Sequence, residues 1–251
     1  MEFFINIYQL FLYQPIFNAL ILLTEIVPGK DFGIAVILLT LVVRFASYPL
    51  GAQAVRAQKR FADLQPKIKE IQAKFKDKKE EQTRAMLELY KTAKVNPFAS
   101  FLPLLIQIPI FIVLYQIFSN GLDVEQFSRL YAFVPHPEVA EASLLGIVDL
   151  NERSFPIAIL AGILQFFQLK QMNLQSKKKK KNDKPDFASM MQTQMPYIFP
   201  IIIVWIASTL PSAFGLYLIT TTVFSIWQHW FISKREAQKE DVIEQPQGVR
   251  T

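Results

Sequence analysis

The 251-residue sequence predicts an all-α polytopic membrane protein with five transmembrane helices and a cytoplasmic helical hairpin, N-terminus outside and C-terminus inside. Three observations carry that prediction. The chain is 51% hydrophobic yet 19% charged, with mean hydropathy +0.23, and the two kinds of residue alternate in blocks, as in a chain that threads a bilayer. Within the charged blocks the apolar residues recur at helical spacing. The basic residues collect on alternate connections, as they do when Lys and Arg are kept cytoplasmic.

Residues 1–30 open the chain. The apolar run 3–27 is interrupted by Asn6, Gln9, Gln14 and Asn18, broken by Pro15 and closed by Glu25 and Pro28-Gly29. The scattered polar residues predict an amphipathic helix lying on the membrane surface. With no basic n-region and no small-residue cleavage site, the run does not read as a signal peptide.

The first span covers 31–52. Its stretch DFGIAVILLTLVVRFASYPL is long enough to cross a bilayer, and it carries Arg44. At about 1.5 Å rise per residue, Arg44 lies roughly 18 Å from Phe32, past the middle of a ~30 Å hydrocarbon core. A charge there costs about 2.5–3.5 kcal/mol on insertion scales, so a lone arginine facing lipid is a poor reading. Thr40, Ser47, Tyr48 and Gly51 share its helix face, and such a polar stripe points to a hydrated cavity or a partner. Pro49 marks the end of the span or a kink.

Residues 53–95 form the cytoplasmic hairpin. The stretch from Gly51 to Asn96 holds 12 Lys and Arg. Pro66 reads as the first residue of a helix whose stripe is Ile68, Ile71 and Phe75, extended backwards by Leu64 and Phe61. Asp77-Lys78-Lys79 reads as a turn. Glu80 to Lys94 reads as the second arm, with Met86, Leu89, Tyr90 and Ala93 on one face.

The second span, 96–118, contains no charge and is punctuated by Pro97, Pro103 and Pro109, which membrane helices tolerate. The extracytoplasmic loop 119–154 sets Asp123, Glu125, Glu138, Glu141, Asp149 and Glu152 against Arg129 and Arg153, and reads as loop with some short helix. The third span is 155–170. A basic cytoplasmic loop, 171–194, contains the run Lys177 to Lys181. The fourth and fifth spans, 195–210 and 212–232, make a membrane hairpin around Leu210-Pro211-Ser212, and 233–251 is a flexible tail. The connection after the first span holds 12 basic residues, Lys170–Lys184 holds 7 and the tail 4; the 119–154 loop holds 2 and the segment before the first span only Lys30. This asymmetry sets the N-out, C-in topology.

In that topology polar side chains from several spans reach similar depths. The candidate groove residues are Arg44, Thr40, Ser47, Gln107, Gln165, Gln168, Thr221, Ser225 and Gln228. Tyr217, Thr221, Ser225 and Gln228 share one face of the fifth span, while Thr220 and Thr222 read as packing. Apart from Asp31 at the outer start of the first span, no acidic residue lies inside the five spans to pair with Arg44. With no cysteine and only His136 and His229, thiolate or histidine-rich metal chemistry is excluded and no cofactor is expected. No phosphate-cradling loop, zinc motif or nucleophile elbow is present, so the chain does not read as an enzyme.

The stretches DFGIAVILLTLVVRFASYPL, LQPKIKEIQAKFKDKKEEQTRAMLELYKTAKVNP, FLPLLIQIPIFIVLYQIF, FFQLKQM and MPYIFPIIIVWIASTLPSAFGLYLITTTVFSIWQHWFI resemble, in that order, the YidC-type membrane protein insertases. The resemblance implies a five-helix core in the bacterial inner (plasma) membrane. It implies a groove open to cytoplasm and lipid with an arginine at Arg44, a groove glutamine at Gln168 and a mobile hairpin. It also implies partners: nascent membrane proteins and the lipid bilayer, with the Sec translocon, targeting factors and the ribosome beyond them. No specific DNA partner and no obligatory oligomer follow. Many relatives have Trp where Leu218 follows Tyr217 here, and no large soluble domain precedes the core. The competing class is a channel or transporter subunit with Arg44 as a selectivity charge. A pore needs polar residues through its full depth, and here the outer halves are nearly all apolar.

Overall fold

The chain is mostly helical in a computed structural model that describes residues 6–96, 102–120, 127–136, 142–174 and 187–244. The helices are α1 (Asn6–Ile26), α2 (Phe32–Ala46), α3 (Tyr48–Lys74), α4 (Lys79–Thr92), α5 (Leu102–Asn120), α6 (Phe155–Leu174), α7 (Phe187–Thr209) and α8 (Ser212–Glu244). A short antiparallel ribbon, β1 (Ser143–Leu144) with β2 (Val148–Asp149), sits between α5 and α6. The acidic positions Asp123, Glu125, Glu138 and Glu141, the Asn-Pro proline Pro97, the Lys177–Lys181 run and the last seven residues lie outside the described residues.

Contacts between named side chains fix the order of the bundle. Phe32 at the start of α2 meets Phe118 near the end of α5, ring centroids 6.2 Å apart, so these helices are antiparallel. Phe45 and Phe224 meet at 5.1 Å, so α2 and α8 run parallel. Ile157 lies over Gly215 and Gln165 bonds Thr222, so α6 and α8 are parallel too. Gly162 faces Val204 and Phe166 faces Tyr197, which makes α7 antiparallel to α6. The end of the bundle where α2, α6 and α8 begin is here called the upper end.

The dry core occupies that upper half. Phe17, Leu20, Ile21, Val36, Val113, Ile117, Leu150 and Phe214 are fully buried there. The loop before α6 seals the top of α8: the Ser212 N–H donates to the Glu152 carbonyl (2.8 Å), and the Ala213 N–H donates to the Leu150 carbonyl (3.1 Å). These are among the first-turn donors that a helix leaves unsatisfied. The Asp31 carboxylate accepts from the Ile34 N–H at 2.8 Å and so caps α2.

Five features go beyond the sequence reading or differ from it. Within the segment 1–30, Asn6–Ile26 is a helix that packs Tyr13, Phe17, Leu20 and Ile21 into the common core, with one π turn over Gln9–Tyr13 beside Pro15. Both its ends lie at one level. Tyr8 donates to Gln116 at the upper end of α5 (2.9 Å), and Ile26 leads into the upper end of α2. Midway, Asn18 donates to the Arg129 carbonyl (3.2 Å) and accepts from the Tyr131 N–H (2.7 Å).

The second difference is the break after the first span. It falls at Ser47, not at 52, and α3 leaves at 64° to α2, because Pro49 suits the first turn of a new helix. Third, Pro66 lies inside α3 rather than starting a helix. The tight turn is at 75–77, and α4 ends at Thr92 in a Schellman arrangement. There Lys94 has φ 51°, the Val95 N–H reaches the Tyr90 carbonyl (3.0 Å) and the Lys94 N–H reaches that of Lys91 (3.2 Å). Fourth, the upper loop holds the ribbon, where only loop and short helix were expected. Fifth, α8 continues to Glu244, so most of the expected flexible tail is helical.

Among the described residues, two helical stretches are each long and apolar enough to cross a membrane, Asn6–Ile26 and Phe155–Met172, and the bent α2–α3 pair would be a third. Gln107–Ser119 and Gln194–Thr209 are shorter apolar helices.

Close α6–α7 packing depends on Gly162. A Cβ there would sit 2.2 Å from Val204 Cγ2 and 3.2 Å from the Pro200 carbonyl. Gly162→Ala is expected to destabilise the bundle by about 1–3 kcal/mol through overpacking. Adding Val204→Ala should restore part of it, and thermal unfolding in detergent checks both.

Candidate functional site

The last turn of α2 carries Arg44, where the helix's negative end favours a cation. The break one turn below ends α2 just after the arginine. Facing it are α5, which brings Gln107, and α8, which brings Tyr217 and Thr221. These three helices enclose a recess lined by Thr40, Val43, Arg44, Ser47, Gln107, Ile110, Tyr217 and Thr221, with about 230 Å³ of empty volume counting its open mouth.

The guanidinium is held by neutral groups. Arg44 Nη2 donates to Gln107 Oε1 at 2.7 Å, and Nε donates to Thr221 Oγ1 at 3.1 Å. Gln107 Nε2 donates in turn to the Tyr217 hydroxyl, so the amide's acceptor is turned to the arginine. Tyr217 is buried, and Thr221 nearly so. Among the described residues no carboxylate bonds Arg44. An arginine has five donors; the bonds to Gln107 and Thr221 use two of them. Thr40 and Ser47 spend their hydroxyl protons on their own helix, on the Val36 carbonyl (2.7 Å) and the Val43 carbonyl (2.8 Å). Their oxygens remain as acceptors on the recess wall.

The structure thus brings together five of the nine predicted residues: Thr40, Arg44, Ser47, Gln107 and Thr221. The other four lie elsewhere. Gln165 accepts from Thr222 at 3.4 Å in the α6–α8 contact, which also makes Thr222 a polar packing residue as expected. Gln168 is half-buried on α6 and does not line the recess. Ser225 donates back to the Thr221 carbonyl (2.8 Å). Gln228 is buried and donates to the Tyr48 carbonyl (3.1 Å) at the α2–α3 break. It also fills the space beside Gly51, where a Cβ would fall 2.8 Å from its amide. Of the lining residues missing from the predicted set, Val43, Ile110 and Tyr217, only Tyr217 is polar, and its spacing of four from Thr221 places it on the same face.

Fold and recess together define an all-α membrane protein with an arginine set among neutral polar side chains. The chain belongs to the 60Kd inner membrane protein family, the YidC-type family, whose model matches residues 22–240. It is 32% identical over 204 residues to the membrane protein insertase YidC of Francisella philomiragia subsp. philomiragia, an alignment covering 81% of this chain and 33% of that protein. It is 31% identical, with the same coverage, to that of Francisella tularensis subsp. novicida. The chain therefore spans about a third of the length of these curated relatives.

Gln107→Leu removes both the acceptor of Arg44 and the donor to Tyr217. It is expected to cost about 1.5–3 kcal/mol of stability, against about 1 kcal/mol for Tyr217→Phe, which removes one neutral bond. Thermal unfolding of the two variants beside the parent protein tests the order.

Proposed function

We propose that the protein is a membrane protein insertase of the bacterial inner membrane. In this reading the Arg44 recess is the closed end of a hydrated groove open to cytoplasm and lipid. The observation that carries it is the set of neutral partners around Arg44. A cation in apolar surroundings is tolerable where water or a visiting carboxylate completes its coordination. Family membership, and the name membrane protein insertase borne by the two Francisella relatives, support the same reading.

The five spans are α2, α5, α6, α7 and the first part of α8, with the upper end outside and the C-terminus cytoplasmic. The 12 basic residues after the first span and the acidic upper loop support this orientation. The placing of both ends of α1 at the upper level supports its lying flat on the outer surface. A spanning helix would carry its start to the opposite end, some 30 Å away.

The hydrophilic outer segment of a nascent chain enters the groove from the cytoplasm and crosses only the apolar upper half. Its hydrophobic segment moves sideways into lipid, driven by about 25 cal/mol per Å² of apolar surface removed from water. Arg44 draws acidic residues of the crossing segment, and the α3–α4 hairpin receives clients or targeting factors. The Sec translocon and the ribosome are further partners in this reading. Catalysis and cofactors play no part in it.

Two experiments test it. In the naturally cysteine-free chain, single cysteines replacing Thr40, Ser47, Gln165, Gln168, Thr221 and Ser225 are labelled in sealed membranes with a water-soluble thiol reagent. Those at positions 40, 47 and 221 should react from the cytoplasmic side alone. Reaction from both sides would mean a pore, and no reaction a dry scaffold. Secondly, two unit charges ~10 Å apart at an effective dielectric of ~20 interact by ~1.7 kcal/mol. Arg44→Ala should therefore slow insertion of clients with acidic tails by more than about tenfold, spare neutral ones, and be largely rescued by Arg44→Lys. Normal insertion of acidic clients by both variants would remove the electrostatic role.

A further inference from the structure

The upper loop carries a feature that client transfer does not use. Between β1 and β2 the chain turns through Leu145 and Gly146, with φ of 54° and 66°. Two successive left-handed residues make the type I′ hairpin turn, a position that favours Asn, Asp and Gly. A leucine there works against its backbone preference. It also leaves an apolar tip: Leu145 is 64% exposed and Ile147 82%, the most exposed large apolar side chain among the described residues. From Ser143 to Val148 the ribbon bears no charge.

The tip is held in place. The Leu145 N–H donates to the Asp31 carboxylate, the group that also caps α2. The Leu144 side chain lies on the first turn of α2, where a Cβ on Gly33 would come within 2.6 Å of it. At the ribbon's other end Leu150 is fully buried, and Ser212 Oγ at the start of α8 donates to the Asp149 carbonyl (2.8 Å). The ribbon is thus clamped between the upper ends of two bundle helices. Ile26 at the end of α1 and Phe155 at the start of α6 are exposed at 67% and 61%, so the tip is one of several apolar side chains at the upper end of the bundle.

We propose that the tip Leu145-Gly146-Ile147 is embedded in the outer leaflet, at the boundary of glycerol and acyl chains, as a second outer anchor beside α1. The occupant of this apolar surface is lipid. An uncharged tip of large aliphatic side chains, clamped at the level where the helices leave the membrane, is favourable in that boundary and unfavourable in water. This rests on the orientation given under the proposed function, with the upper end outside.

The test uses the full chain in liposomes, with nitroxide labels on single variants Leu145→Cys, Ile147→Cys, Glu152→Cys and Lys79→Cys. Collision rates are measured with oxygen, which concentrates in the bilayer, and with a water-soluble nickel chelate. Labels at 145 and 147 should be relaxed by oxygen and shielded from nickel, while that at 152 should be open to nickel. Nickel access at 145 and 147 equal to that at 152 would overturn the anchor. Sidedness is read separately with an impermeant reductant, which should bleach 152 and 79 in opposite vesicle populations. If they bleach together, the orientation fails and the proposal with it. If they bleach apart while 147 stays open to nickel, the anchor alone fails.

Discussion

A guanidinium bound to an amide and a hydroxyl, with no carboxylate among its described partners, is the constraint around which the rest of the molecule is arranged. Burying a charge without a counter-ion is expensive unless dipoles and water replace its hydration. Each neighbouring element supplies part of that replacement. The termination of α2 puts the helix's negative end under Arg44. Gln107, itself oriented by Tyr217, offers its carbonyl. Thr221 accepts from Nε while its own carbonyl binds Ser225. What the described neighbours do not supply is a negative charge, and the role proposed for Arg44 toward acidic chain segments starts from that.

The two halves of the bundle follow opposite rules. Above the recess, Val36, Val113, Ile117 and Phe214 are fully buried in one apolar cluster, and the loop after α5 closes backbone donors of α8. Below it, aromatic rings run along α2 and α8, with Phe45 and Trp227 exposed around the buried Phe224. Phe45, Phe224, Trp227 and Phe231 form a chain of ring contacts 5.1 to 6.4 Å apart, and Arg235 lies over Phe231. Trp227, with an apolar body and one N–H, and the cation over Phe231 suit an interface in which one face is apolar and the other wet.

Much of this was legible in the sequence, and the reasons differ by element. The helices were readable because long uncharged stretches and 3–4 spacing have few alternative explanations. The Arg44 recess was readable in α2 because Thr40 and Ser47 share its face, and in α8 because Thr221 falls near the right depth. Depth alone could not separate Thr221 from Gln165, Gln168, Ser225 and Gln228. That separation depends on which face of α6 or α8 turns toward α2, and rotation about a helix axis is set by packing such as Gly162 on Val204 and Gly215 on Ile157. Tyr217 shares the face of Thr221 but lies one turn nearer the outer end of the span, and depth left it out of the set. The ribbon was invisible because two-residue strands carry no period, and its turn has leucine where asparagine would have announced it. The continuation of α8 to Glu244 overrode a composition that reads as solvated tail.

The break at Ser47 also has a mechanical side. Below it α3 is a continuous helix of 27 residues, about 40 Å long. Near its base, α8 touches it through the Gln228 amide on the Tyr48 carbonyl and, two turns further on, through Arg56 and Glu236 at 3.3 Å. A rod held so close to its pivot is a lever with a long free arm. A rotation of about 10° at the pivot carries the far end some 7 Å. By that geometry a small tilt about Ser47 would be felt at the hairpin tip as a shift the size of a side chain, while the residues beside the pivot would hardly move.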